Sequence, residues 1–269
     1  MTSTDSEAPI IDTHAHVYTL DMPRMSESWH RPPADASIDD YIAALDENNV
    51  TFGILAAASL YGDYNDYQLE AVRRHKRLRT TVIVDPRTDV DKLRRMNDAG
   101  VVGIRLQLRN VANVPDLTSY EYQVLMRRAA DLGWHIHLHD DAARLPNYIA
   151  AIESAGPRLV IDHMGRPEAG SGGDSEGFMA VLRAVERRKT WVKISGGFRI
   201  QPDGYAATIV SKLLQNVGPQ RLMWGSDWPF AAFEDRMSYK KAIADYKRYV
   251  PDISIRRSID RTALAFYFT

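Results

Sequence analysis

Short apolar runs alternate with longer amphipathic stretches along almost the whole chain, and this alternation most constrains the fold. Eight runs read as strands: residues 10–17, 52–59, 80–85, 101–107, 134–139, 159–163, 191–195 and 221–225. Helical patterns fall between them at 38–49, 68–76, 90–99, 119–132, 145–155, 178–188 and 205–217, with two more in the tail at 235–249 and 255–268. Strands that alternate with helices imply parallel pairing through βαβ units. Eight such units in a 269-residue chain predict an α/β fold, a closed (β/α)8 TIM barrel in one domain. An open doubly wound sheet would place a Gly-rich phosphate loop after the first strand, and Thr13-His14-Ala15-His16 is no such loop. The expected division is a flexible N-terminal tail, 1–9, and a barrel, 10–269.

The bulk chemistry excludes several classes of function. Apolar residues make up 45% of the chain, enough for a large core, and the net charge of −1 draws the chain to neither nucleic acid nor membrane. With no cysteine there is no disulfide, thiolate nucleophile or Cys-type zinc site. The polar, acidic start lacks the basic and apolar regions of a signal peptide, and no apolar run nears the roughly 20 residues of a membrane helix. A cytoplasmic location agrees with this. Self-association is left open.

Active sites of such barrels lie at the C-terminal ends of the strands. There the sequence places His14 and His16, then Ser59, Arg105, His139, Asp162-His163 with Arg166 beyond, Lys193 and Ser195 with Arg199, and Ser226-Asp227. Strand alternation puts His14 and His16 on one face, with Asp12 on that face one step earlier. A lone His on an apolar strand is more often a core residue, and that reading suits His135, which lies earliest on its strand. His137 fits either reading. Asp162 is expected on the face opposite His163, as a structural partner, whereas Asp227 follows a buried strand and reads as functional. Arg31, Arg105, Arg109, Arg166 and Arg199 all fall on the same predicted face. Any one could be a solvated charge; together they point to an anionic ligand, because guanidinium pairs with carboxylate or phosphate.

Four motifs carry a family resemblance: Asp12-Thr13-His14-Ala15-His16, Leu132-Gly133-Trp134-His135, Asp162-His163-Met164-Gly165-Arg166-Pro167 and Trp224-Gly225-Ser226-Asp227-Trp228-Pro229. From about Ile10 onward the chain resembles the amidohydrolase superfamily, of the amidohydrolase 2 type, in the branch containing 2-pyrone-4,6-dicarboxylate lactonase and related lactone hydrolases. The resemblance implies a lactonase of aromatic-compound catabolism that opens a carboxylated lactone ring by water attack, with no organic cofactor and no required metal. Asp227 would be the general base, and His14, His16 and His163 would polarise the carbonyl and stabilise the oxyanion. Arg31, Ser59, Arg105, Arg109, Arg166, Arg199 and His139 would contact the substrate.

The pattern also departs from that branch. His139 stands where the dicarboxylate lactonase has a tyrosine, and Val111 where it has a further arginine. Leu60-Tyr61 replaces a usual Cys-His pair. His14, His16, His139 and Asp227 match the ligand set of metal-dependent branches, which suits one Zn²⁺ or Mn²⁺. That match keeps open a metal-dependent, non-oxidative decarboxylase of an aromatic or muconate-type acid. A barrel that only binds an anionic ligand is the reading from another class.

Overall fold

The computed structural model describes residues 9–111, 113–171, 173–187 and 189–269. Eight strands form one sheet in sequence order, each parallel to the next: β1 (Ile11–Ala15), β2 (Phe52–Leu55), β3 (Leu78–Val82), β4 (Val101–Gln107), β5 (His135–His139), β6 (Arg158–Ile161), β7 (Thr190–Ile194) and β8 (Leu222–Trp224). Outside them lie α1 (Ile38–Glu47), α2 (Asp66–Arg74), α3 (Val90–Ala99), α4 (Tyr120–Asp131), α5 (Leu145–Ala155), α6 (Glu176–Glu186), α7 (Tyr205–Val217), α8 (Tyr239–Tyr249) and α9 (Ile253–Tyr267). The expected (β/α)8 barrel is therefore present. No helix among the described residues is long and apolar enough to cross a membrane. Apart from Pro9, the expected N-terminal tail lies outside the described residues, as does Arg188, the expected end of α6.

Local chemistry sets these boundaries. Ser37 accepts a hydrogen bond from Asp40 N while the Asp40 side chain bonds back to the Ser37 backbone, a capping box that starts α1. Asp89 and Ser175 cap α3 and α6 in the simpler way. The helices bury one apolar face against the outer surface of the sheet. At the bottom of the barrel, Ile11, Ile54, Val160 and Met223 pack on Phe266 and Tyr267 of α9, which plugs that end. Each such side chain contributes about 1.5–3 kcal/mol by leaving water.

The ring closes differently from the rest of the sheet. Two backbone hydrogen bonds join β1 to the segment after β8, Asp227 N to His14 O and His16 N to Trp228 O, both 2.8 Å. Thr13 Oγ1 adds a bond to Trp224 O at 2.7 Å. The chains approach so closely that a Cβ on Gly225 would lie 2.5 Å from His14 Cβ, so no larger residue fits there.

Asp12 clasps this seam. Its Oδ1 accepts from His14 N at 3.1 Å and Ser226 N at 2.8 Å, and its Oδ2 accepts from Ser226 Oγ at 2.6 Å, Tyr239 Oη at 2.8 Å and Tyr41 Oη at 3.2 Å. Asp12 thus faces α1 and α8, not the histidine side. The expectation of a shared face fails because the strand register shifts between Asp12 and Ala15, which breaks the two-residue alternation. Burial pushes the Asp12 carboxyl above its ordinary range, against the pull of its Ser226, His14 and Tyr239 partners.

Truncating this clasp strands several buried donors at once. Asp12→Ala should lower unfolding stability by roughly 3–5 kcal/mol, read as a lower urea midpoint at unchanged slope. A variant within about 0.5 kcal/mol of the parent, the range of ordinary surface changes, would show that the seam does not depend on it.

Candidate active site

Past the register shift, His14 and His16 point into the barrel mouth. The His16 Nδ1–H donates to Ala56 O at 2.7 Å, which leaves Nε2 with its lone pair. His14 Nδ1 lies 3.0 Å from Asp162 Oδ1, with poor angular alignment but strong electrostatic reason to carry the proton. Its Nε2 is then also a bare acceptor. The two Nε2 atoms are 3.3 Å apart, and each is 3.6 Å from Asp227 Oδ1.

Asp227 sits in the left-handed region, at φ 65°, in the tight turn that follows β8. Its other oxygen accepts from Arg199 Nε at 2.6 Å. Burial alone would raise its pKa; Arg199, His163 and the two strand histidines outweigh burial and hold it well below the usual carboxylate range.

His163 is the third imidazole at Asp227, with Nε2 4.0 Å from Oδ2. It was expected at the end of a strand, but β6 stops at Ile161 and His163 opens a turn in which His163, Met164 and Arg166 all have positive φ. That turn brings both Asp162 and His163 into the barrel, so the expected opposition of faces does not hold. Ser195 Oγ fixes the ring through Nδ1 at 2.9 Å. Gly196, itself at φ +57°, lies so close that a Cβ there would be 2.7 Å from the same Nδ1. Burial pulls His163 down to about 4, against the pull of Asp227.

Asp162 is the electrostatic centre beneath this group. It contacts His14 and His137, pairs with Arg105 at 3.4 Å, and lies 3.9 Å from Lys193 Nζ. Lys193 donates to Thr13 O at 2.6 Å and approaches His137 Nε2 at 3.1 Å; burial pulls its pKa down to about 8. His135 sits lower, with Nδ1 on Val102 O at 2.8 Å and its ring against Phe266 and Tyr267.

Above the histidines opens a cavity of about 330 Å³. Arg109, Arg166, Arg199, Arg105, His139 and Ser59 line it together with His16, His163 and Asp227. Ser59 lies on a 3-10 turn after β2 rather than on the strand itself. The terminal nitrogens of Arg105 are already used, by Ala57 O at 2.6 Å and by Asp162. Arg109 and Arg166 both donate through Nε to one oxygen of Asp141, at 3.0 and 2.9 Å. Arg31 is exposed and does not line the cavity.

Among the described residues, three groups of side chains are compact enough to hold an ion: His14, His16 and Asp227; His14, His137 and Asp162; and His139, Asp162 and His163. The expected four-ligand set therefore does not gather as one group. His139 sits edge-on against His163, ring centroids 4.7 Å apart, and both its nitrogens are buried without a partner.

Sequence reasoning gave no site role to Asp162, Ser195, Lys193 or Asp141. The first three stood among the strand-end polar residues and could have been weighted higher as buried charges or donors. Asp141 lies in a loop, and nothing in its sequence context marked it.

The sequence profile described as "Amidohydrolase" matches residues 11–268. The chain belongs to the amidohydrolase family. This amidohydrolase is 27% identical, over 92% of its length and 86% of the relative's, to the 4-sulfomuconolactone hydrolase of Rhizobium radiobacter. It is also 27% identical to the 2-pyrone-4,6-dicarboxylate hydrolase of Comamonas testosteroni, over 89% of this chain and 83% of that one. Among solved structures, a probable 2-pyrone-4,6-dicarboxylic acid hydrolase of Acinetobacter baumannii with citric acid bound superposes with a TM-score of 0.92 at 27% identity, covering 97% of this chain and 99% of that one.

The site carries a defined acid sensitivity. His14, His137, His139 and His163 are held neutral by burial, so the unfolded chain binds protons near pH 6.5 that the folded chain refuses. Asp227 and Asp162, with depressed pKa values, act in the same direction below about pH 4. Unfolding free energy should fall as pH drops from 6.5 toward 4, by up to about 1.4 kcal/mol per pH unit for each histidine. Denaturant titrations across that range check this, and constant stability would contradict the neutral-histidine assignment.

Proposed function

We propose that this amidohydrolase opens a carboxylated lactone by water attack on the ring ester. The observation that carries the reading is an ionised Asp227 at the base of an arginine-lined cavity, with three imidazoles within 4.0 Å of it. The names of the relatives support the same substrate class.

In this reading Arg199 holds Asp227 through Oδ2, so Oδ1 is the oxygen that accepts the proton of the attacking water. In the same reading Ser195 Oγ–H is the donor to His163 Nδ1, the tautomer in which the imidazole proton is on Nε2. His163 is then the donor that meets the developing oxyanion. Arg109 and Arg166 bind the carboxylate of the substrate, while Tyr18, Leu60 and Phe233 wall the ring.

His14 and His16 present lone pairs, not N–H groups, to the mouth. As neutral tautomers they cannot donate to an oxyanion, which narrows the role that the resemblance implied for them. With Asp227 Oδ1 they form three convergent acceptors. Their 3.3 Å nitrogen separation is what two ligands about 2.0–2.1 Å from one tetrahedral ion adopt. The residues thus fit one divalent metal, Zn²⁺ or Mn²⁺, held by His14, His16 and Asp227. When bound, such an ion lowers the pKa of its water toward about 7.

Two measurements test this. Asp227→Asn should lower kcat on a carboxylated lactone by roughly 10²–10⁴-fold, the usual worth of a general base, with little change in KM. Unchanged turnover would remove Asp227 from the reaction. Dialysis against a chelator should abolish turnover, and Zn²⁺ or Mn²⁺ should restore it at one ion per chain. Undiminished turnover by metal-free protein would leave Asp227 and His163 acting alone, and would also exclude the decarboxylase.

A further inference from the structure

Among the described arginines that line the cavity, two share one carboxylate and the other two do not share theirs with another arginine. Arg199 is neutralised by Asp227 and Arg105 by Asp162. Arg109 and Arg166 share one carboxylate, that of Asp141, and both reach it through Nε. Their four terminal nitrogens have no hydrogen-bond partner among the described residues, and both side chains line the cavity. Two guanidiniums and one carboxylate leave one positive charge, and two sets of N–H donors, directed at the space where substrate binds.

Asp141 is itself fixed in place. It begins the 3-10 turn Ala142–Arg144 after β5, and its N–H donates to Asp140 Oδ1 at 2.7 Å. Ala142 N donates to Arg166 O at 3.2 Å, which ties the loops after β5 and β6 together. The fork is therefore built from two loops joined by backbone. Beyond the paired Arg105, Arg199 and Asp227, the cavity wall offers the imidazoles, neutral polar groups such as Ser59, Gln107 and Asn110, and apolar side chains.

We propose that Asp141 is a specificity-determining residue, which ties Arg109 and Arg166 into one fork of net charge +1 and so selects lactones bearing a single anionic group. The proposal rests on the lactonase reading for its substrate and on the arginine pairing for its selectivity. A planar carboxylate meets the fork through charge-assisted hydrogen bonds. A second carboxylate on the ring meets only Arg105 and Arg199, each already paired with a carboxylate, so its desolvation is poorly compensated.

The test compares two lactones that differ only in carrying one or two carboxylates, on the full chain and on Asp141→Asn. The parent should favour the monocarboxylated lactone in kcat/KM. Asp141→Asn adds a net charge to the fork and should shift the ratio toward the dicarboxylated lactone by about tenfold, through KM rather than kcat. Arg109→Gln removes that charge and should raise KM for the monocarboxylated lactone by about tenfold. An unchanged ratio in Asp141→Asn, or a loss confined to kcat for both lactones, overturns the proposal and makes Asp141 a structural residue. If the parent hydrolyses neither lactone, the lactonase reading falls. The fork is then judged by calorimetric Kd values for a monocarboxylate and a dicarboxylate of one aromatic ring, with the same tenfold shift expected in Asp141→Asn and an unshifted ratio against it.

Discussion

The carboxylate of Asp12 is the constraint on which the rest of the structure depends. An eight-stranded ring must close somewhere, and here β8 is too short to pair along β1. Asp12 closes the gap by accepting from β1, from the turn after β8, and from the tyrosines of α1 and α8. Each bond satisfies a donor that burial would otherwise strand. The backbone bond from Asp227 N to His14 O lies in the same seam. The placing of His14 and Asp227 and the closure of the barrel are thus one arrangement.

Above the seam the interior is dense with ionisable groups, and pairing keeps them tolerable. Asp162 alone faces Arg105, Lys193, His14 and His137. A buried charge without such partners would cost several kcal/mol. Burial keeps the histidines neutral against the pull of the carboxylates, while imidazole and guanidinium partners hold Asp162 and Asp227 below the usual carboxylate range. Each ring is placed by what lies behind it: Ala56 O behind His16, Asp162 behind His14, Ser195 behind His163.

The fold was legible because periodicity carries it. Four of the expected elements, β4, α3, α5 and α7, have the predicted bounds, and the count of strands is as expected. The polar residues that gather at the barrel mouth were legible as types at strand ends. What periodicity could not convey is local departure from it. One register shift turned Asp12 away from the histidines, and a run of positive φ angles drew both Asp162 and His163 inward. Ser59 moved from a strand onto a 3-10 turn for a related reason: β2 ends at Leu55. Loop residues were the least readable. Arg31 belongs to a loop that leaves it in solvent, whereas Asp141, in a loop of no evident pattern, gathers two arginines.

The central claim is that this site adds water across a ring ester. Its most direct test is the wild-type protein with a carboxylated lactone in ¹⁸O-labelled water, followed by NMR and mass spectrometry of the product. The account predicts an opened ring, one ¹⁸O in the newly formed carboxylate, and no CO2. Release of CO2 with the ring ester intact would contradict it.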